Sequence, residues 1–222
     1  MVRVLKWVGL VFAVMITGLT GYGAKGYFDA VRDVDGLRDR AERLLAAGRG
    51  GEGLGDERLE DLLRVQDPAY FEHGGVDFTT AGAGATTVSQ SVSKRLAFER
   101  FRPGIGKIRQ TGYALGLESR LDKDQILALW LDTLEMGRGP DGWMTGFHHA
   151  SEQVFWASPA EIERGDFLRL AAVLIAPGQY DLRADDPALA ERVGRIERLL
   201  TGECVPLDHG DVWLEGCGPT AQ

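Results

Sequence analysis

Cysteine is almost missing: of 222 residues only Cys204 and Cys217 carry a thiol, both in the polar C-terminal tail. Two cysteines exclude a disulfide-dense miniprotein and fall short of the ligand count of a structural zinc site. An excess of positive charge is missing too. The 33 acidic side chains outnumber the 25 basic ones, for a net charge of −8. That leaves no basic field for a nucleic-acid partner. No stretch alternates convincingly as a strand, and no internal repeat is visible. A long apolar run occurs only once, which excludes a polytopic membrane protein. What is present, 44% hydrophobic and 26% charged residues, fits a globular chain of one domain plus a small extra element. Thirty glycines call for sharp turns or close backbone approaches.

The single apolar run breaks the soluble pattern. Arg3 and Lys6 precede an uncharged stretch from Trp7 to Ala24, and Lys25 closes it. As a helix this stretch covers ~27 Å, enough for a bilayer core, with Trp7 and Tyr22 near the two interfaces. A cleaved signal peptide shares the basic start and apolar middle. Against cleavage, the run is long, and the only tidy small-residue end, Gly23-Ala24, has bulky Tyr22 at the −3 place. The sequence therefore favours a retained single-pass anchor over residues 1–25. Positive charge before the span holds the N-terminus in the cytoplasm and puts the rest on the extracytoplasmic, periplasmic face of the cytoplasmic (inner) membrane. In that oxidising compartment Cys204 and Cys217 can close a short loop, contributing ~3 kcal/mol in the chain-entropy model. Two free thiols are the alternative.

Beyond the anchor the pattern is helical. Val31, Val34, Leu37, Leu44 and Leu45 recur at helical spacing and predict a stalk helix over 26–47. The cluster GRGGEGLG, Gly48–Gly55, reads as a hinge. Helices are expected over 58–65, from the TTVSQSVSK segment onward, and over 107–119, 123–134, 147–155, 158–175 and 187–200, with Pro177 ending the penultimate one. MGRGPDG reads as a turn. The fold class is mainly α, with one domain over 56–200 and a polar tail over 201–222. Tyr70, Phe71, Trp130, Trp143, Phe155 and Trp156 are expected in the core, with lipid contact the alternative for Trp143 and Met144. His148 and His149 are expected to pack or cap.

Two segments carry chemistry. QDPAYFEHGGVD brings Asp67, Glu72, His73 and Asp77 together, without the spacing of a zinc helix motif. The glycine-rich TTAGAGATTVSQSVSK can cradle a phosphate with helix N–H groups, the hydroxyls of Thr86, Thr87 and Ser89, and Lys94. It is not a P-loop, because no GK[ST] follows.

In order and spacing these segments resemble the family-51 peptidoglycan glycosyltransferases. The family pattern E-D-x-x-F-x-x-H-x-G-x-D lies on Gln66–Asp77, and G-G-S-T-I-T-Q-Q-L-x-K-N on Gly84–Arg95. The third motif, R-K-x-x-E-x-x-x-A-x-x-L-E, meets Gly106–Glu118. The fourth, Y-L-N-x-I-Y-F-G-x-G-x-x-G, meets Trp130–Gly142, and the last, ending in A-P, meets Asp166–Pro177. Five ordered motifs over roughly Leu59–Leu182 make the resemblance specific, and the anchor looks like that of monofunctional members.

The resemblance implies a helical, lysozyme-like glycosyltransferase domain behind a transmembrane helix. It implies polymerisation of lipid II, moving a glycan chain from its undecaprenyl pyrophosphate onto the 4-hydroxyl of an incoming unit. Implied partners are lipid II or nascent glycan strands, the membrane and cell-wall synthesis proteins, with no nucleic acid. No cofactor is required, although a divalent cation (Mg or Mn) can assist the pyrophosphate. The family's two catalytic glutamates fall on Gln66 and Gln110, and Asp67, His73, Thr87, Gln90, Lys94, Lys107 and Glu118 fall on substrate-binding positions. A neutral amide cannot take a proton as a carboxylate does, and losing a positioned general base typically costs roughly 10²–10⁴-fold. Gly106, Asp132 and Glu135 also depart from the pattern. A catalytically impaired, ligand-holding member is the expectation. An active enzyme using a relocated carboxylate, Asp132 or Glu135, is the alternative.

Overall fold

The structure, a computed structural model, describes residues 2–218. The side chains of residues 1–5, Arg3 among them, and the last four residues of the tail lie outside the described residues.

One continuous helix, α1 (Val2–Ala46), replaces the expected anchor and separate stalk. Within it lies a stretch long and apolar enough to cross a membrane. Trp7, Val11, Phe12 and Val14 are exposed along this stretch. The second half is no stalk, because Ala30, Val34 and Ala41 are buried in the domain core. Its partner is α4 (Gly106–Glu118), which runs parallel to it. Gly23 meets Ile108, Gly26 meets Arg109, and Gly116 meets Ala30 and Tyr27. A Cβ on Gly112 would overlap the Gly23 carbonyl, so the two backbones touch where side chains would separate them. Asp29 ties the pair together through Arg109 of α4 at 2.8 Å, while Lys25 of its own helix holds the same carboxylate at 2.5 Å.

The cluster after α1 is not a hinge. Gly50 and Gly51 are packed against Leu45, Leu127 and Leu59, and a 3-10 turn at Glu52–Leu54 leads into α2 (Asp56–Gln66). At the centre lies α5 (Lys123–Thr133), apolar on nearly every side and buried from Ile126 to Leu131, as a helix without a polar face must be. Around it pack α1, α3 (Val88–Leu96) and α6 (Phe147–Phe155), with α7 (Arg164–Val173) against α6 and α8 (Pro187–Leu200) against α7.

The expected turn at 136–142 is an antiparallel hairpin, β1 (Glu135–Gly139) and β2 (Gly142–Thr145), pairing Gly137 with Met144 and Arg138 with Trp143. The strands are too short and glycine-rich to show alternation, and a bulge between Glu135 and Gly137 breaks what there is. α7 starts six residues later than 158 and stops before Pro177, because turns occupy Ser158–Ile162. Tyr70 and Trp130 are buried as expected, whereas Phe71, Trp143 and Trp156 are exposed. Trp156 takes the left-handed conformation that ends α6. His148 is buried and His149 exposed.

Candidate active site

The residues singled out from the sequence converge where α2 ends, α3 begins and α4 lies across both. Gln66 is the last residue of α2, and its Nε2 donates to the Ala171 carbonyl on α7 at 3.3 Å. Asp67 follows it, with a fully buried carboxylate (0% exposed). That carboxylate accepts the Val88 N–H at 2.8 Å and His73 Nε2 at 2.9 and 3.1 Å. Val88 opens α3, so the negative charge sits on the positive end of that helix. His73 Nδ1 accepts the Gly75 N–H at 3.1 Å, which assigns the ring proton to Nε2, facing Asp67. Asp77 closes the segment. Burial raises its carboxyl, but the N–H groups of Thr79 and Thr80 outweigh that and hold it down to about 2.

Thr87 caps α3 in a reciprocal box: Gln90 N–H donates to Thr87 Oγ1 and Thr87 N–H to Gln90 Oε1, each at 3.2 Å. Such a box satisfies helix donors that would otherwise be free. Together with Asp67 it closes this helix end with the protein's own side chains. The N–H cradle expected for a phosphate is therefore occupied, and the hydroxyls follow suit. Thr87 Oγ1 donates to the Gly75 carbonyl at 2.8 Å, and Ser89 Oγ donates to Glu118.

Gln110 is 1% exposed on α4, and its Nε2 donates to the Gln90 backbone carbonyl at 2.6 Å. Gln90 Nε2 in turn donates to Thr111 Oγ1 at 2.9 Å. The two glutamines thus clamp α3 to α4. Glu118, at the far end of α4, is ion-paired with Lys123 Nζ at 2.8 Å, and the same ammonium donates to the His73 carbonyl at 2.7 Å. Lys123, Ser89 and Thr111 thus complete the framework. Thr111 escaped sequence reasoning because its partner Gln90 lies 21 residues away, whereas a neighbouring lysine was among the expected partners of Glu118 and Ser89 was read as a phosphate ligand.

The cations remain. Lys107 Nζ reaches the Ala85 carbonyl at 3.0 Å and Thr86 Oγ1 at 3.3 Å. Lys94 is half-buried, and burial is the largest cause holding its ammonium below the usual range. Arg95 adds to that effect, Glu135 opposes it, and Lys107 adds again. Lys94, Arg95 and Lys107 thus share one region in which Glu135 is the carboxylate acting on Lys94 and Arg95, an arrangement that a multivalent anion would relieve. Beside Lys107 an apolar groove of about 540 Å³ runs between Leu19, Gly23 and Tyr27 of α1 and Ile108 and Leu115 of α4.

Of the two alternative carboxylates, Asp132 is bound by Arg40 of α1 at 2.5 Å, which removes it from the cleft. Glu135 is exposed at the start of β1 and acts on Lys94 and Arg95. Among the described residues no group of three His, Cys, Asp or Glu side chains is placed to hold a metal ion. Asp67 and Glu118 are bound by protein donors.

The domain is mainly helical and carries a helix long and apolar enough to cross a membrane. The family model described as Transglycosylase matches residues 56–201, and the chain belongs to that family. A biosynthetic peptidoglycan transglycosylase of Marinomonas sp. (strain MWYL1) is 30% identical over 149 residues, covering 62% of this chain and 64% of that protein. Its namesake from Xanthomonas axonopodis pv. citri (strain 306) is 33% identical over 116 residues, covering 52% and 45%. A penicillin-binding protein 1A of Clostridium perfringens (strain 13 / Type A) is 24% identical, with 70% of this chain on 24% of that protein. The match thus spans less than two thirds of each of these relatives.

Proposed function

We propose that this chain is a membrane-anchored member of the peptidoglycan glycosyltransferases that binds lipid II or nascent glycan at the outer face of the cytoplasmic membrane and is catalytically impaired. Gln66 and Gln110 stand where the family's general base and donor-site glutamate fall. The single observation that carries the reading is the Gln110 amide, which donates to the Gln90 carbonyl from a fully buried position. An ionised carboxylate has no proton to offer there, so the amide is built into this fold. Gln66 likewise donates, to Ala171, and a primary amide is no base for a sugar hydroxyl. Asp67 cannot replace it, since its oxygens already accept from Val88 and His73.

The ligand-holding half of the site is retained. Lys94, Arg95 and Lys107 face a pyrophosphate by charge, and the groove beside Lys107 suits an apolar chain continuous with the bilayer. One observation favours a second reading: Glu135 is exposed near Lys94 and is the only free candidate of the two relocated carboxylates considered. It would have to act as base on the acceptor.

Equilibrium binding of labelled lipid II to the full chain in nanodiscs tests the ligand half. Lys94→Ala with Lys107→Ala should weaken binding about tenfold or more and flatten its salt dependence. Equal affinity and equal salt slope for the parent and the double variant would refute it.

A further inference from the structure

We propose that the disulfide-closed tail is a strap that holds the glycine-rich loop of the candidate site in place. The loop over 79–86 has no regular structure, and a glycine-rich segment of this kind loses much conformational freedom when ordered. Its main fixed points are supplied by the tail. Gly82 N–H donates to the Asp208 carbonyl at 2.9 Å and Gly84 N–H to the His209 carbonyl at 2.7 Å. His209 Nδ1 lies 2.9 Å from the Thr80 carbonyl, which makes the ring nitrogen the donor. Packing is equally close. A Cβ on Gly84 would overlap Val212, and one on Gly82 would lie 2.8 Å from Pro206. Both glycines have positive φ, 78° and 67°, so no other residue fits without strain.

The tail can serve as a strap because it is itself fixed at its far side. Cys204 and Cys217 are bonded, with Cα atoms 5.3 Å apart. α8 holds the closed loop through Arg192 on the Val212 carbonyl at 2.9 Å and Arg198 on the Cys217 carbonyl at 2.8 Å. Inside it, Asp211 accepts the N–H groups of Leu207, Glu215 and Gly216 at 3.0, 2.7 and 3.0 Å. The strapped loop then ends at Ala85 and Thr86, the two groups that bind Lys107, and at Thr87, the cap of α3. The disulfide therefore acts at a distance on the position of Lys107. Its effect on a ligand rests on the phosphate-facing reading of Lys107, whereas the strap itself does not.

Hydrogen exchange followed by mass spectrometry on the full chain in nanodiscs tests this, comparing peptides from 79–87 with peptides from α5. Three perturbations are used: reduction with dithiothreitol, Cys204→Ser with Cys217→Ser, and His209→Ala with Val212→Ser, the last leaving the disulfide intact. Each should speed exchange of the 79–87 peptides about tenfold while α5 keeps its rate. Unchanged exchange at 79–87 after reduction would overturn the proposal, as would equal acceleration of α5, which would make the tail a global staple. Lipid II binding measured on the same samples should fall in parallel. If no form binds lipid II while the loop still loosens on reduction, the strap stands and the reading of Lys107 falls.

Discussion

Replacing Gln110 by glutamate should destabilise this protein. The Gln110 side chain is 1% exposed and its amide donates at 2.6 Å to the Gln90 carbonyl. In Gln110→Glu at neutral pH an ionised carboxylate would face that carbonyl oxygen, losing the bond and placing a buried charge against a partial negative one. Leaving such groups unsatisfied costs about 3 kcal/mol, equivalent to a fall in Tm of about 6–12 °C for a chain of this size. Protonation offers the escape, since a carboxylic acid can donate where the amide did. The variant's folded-state pKa is therefore raised above the unfolded value of about 4.3. For a raised acid, the stability is present in full below the unfolded pKa and is lost as pH rises through the folded pKa. Thermal unfolding of parent and variant between pH 4 and pH 8 should show nearly equal Tm at the acid end and a widening gap above it. Equal Tm values at pH 8 would refute the structural role of the amide.

Two further outcomes follow from the packing. Asp67→Asn removes the charge at the start of α3 and one acceptor shared by Val88 and His73, so denaturant unfolding should register a loss of about 2–3 kcal/mol. An unchanged midpoint would show that the His73–Asp67–Val88 contact contributes little. Gly112→Ala should destabilise by about 1–3 kcal/mol, because its Cβ overlaps the Gly23 carbonyl, whereas Gly36→Ala on the same helix pair meets nothing within 4 Å and should stabilise slightly. The same sign for both would contradict the close α1–α4 contact.

Much of the fold was legible in residue spacing. The strongly apolar run of α5, the Pro187 start of α8 and the membrane-length run of α1 are local signals, and the structure keeps each of them. The burial of residues 30–41 in the core was not legible. A helix with an apolar stripe looks the same whether it stands free or docks on a second helix. Of the glycines that permit docking, Gly23 and Gly26 lie on α1, but Gly112 and Gly116 lie on α4, far away in the sequence. The hairpin was hidden for a different reason, since three of its nine strand residues are glycine and carry no alternation. At the candidate site, the ordered motifs pointed to segments that pack together in the fold, but residue type alone does not say which polar group already has a partner. Thr87 and Ser89 look like phosphate ligands in the sequence. In the fold one caps α3 and the other binds Glu118.

Catalytic impairment is decided by incubating the purified full chain with labelled lipid II and resolving the products on a gel. Retained binding is expected with no glycan chains, or with chains so scarce that they emerge only at long incubation. A robust ladder from the unmodified protein, abolished by Glu135→Tyr and untouched by Gln66→Ala, would contradict it and assign the base to Glu135.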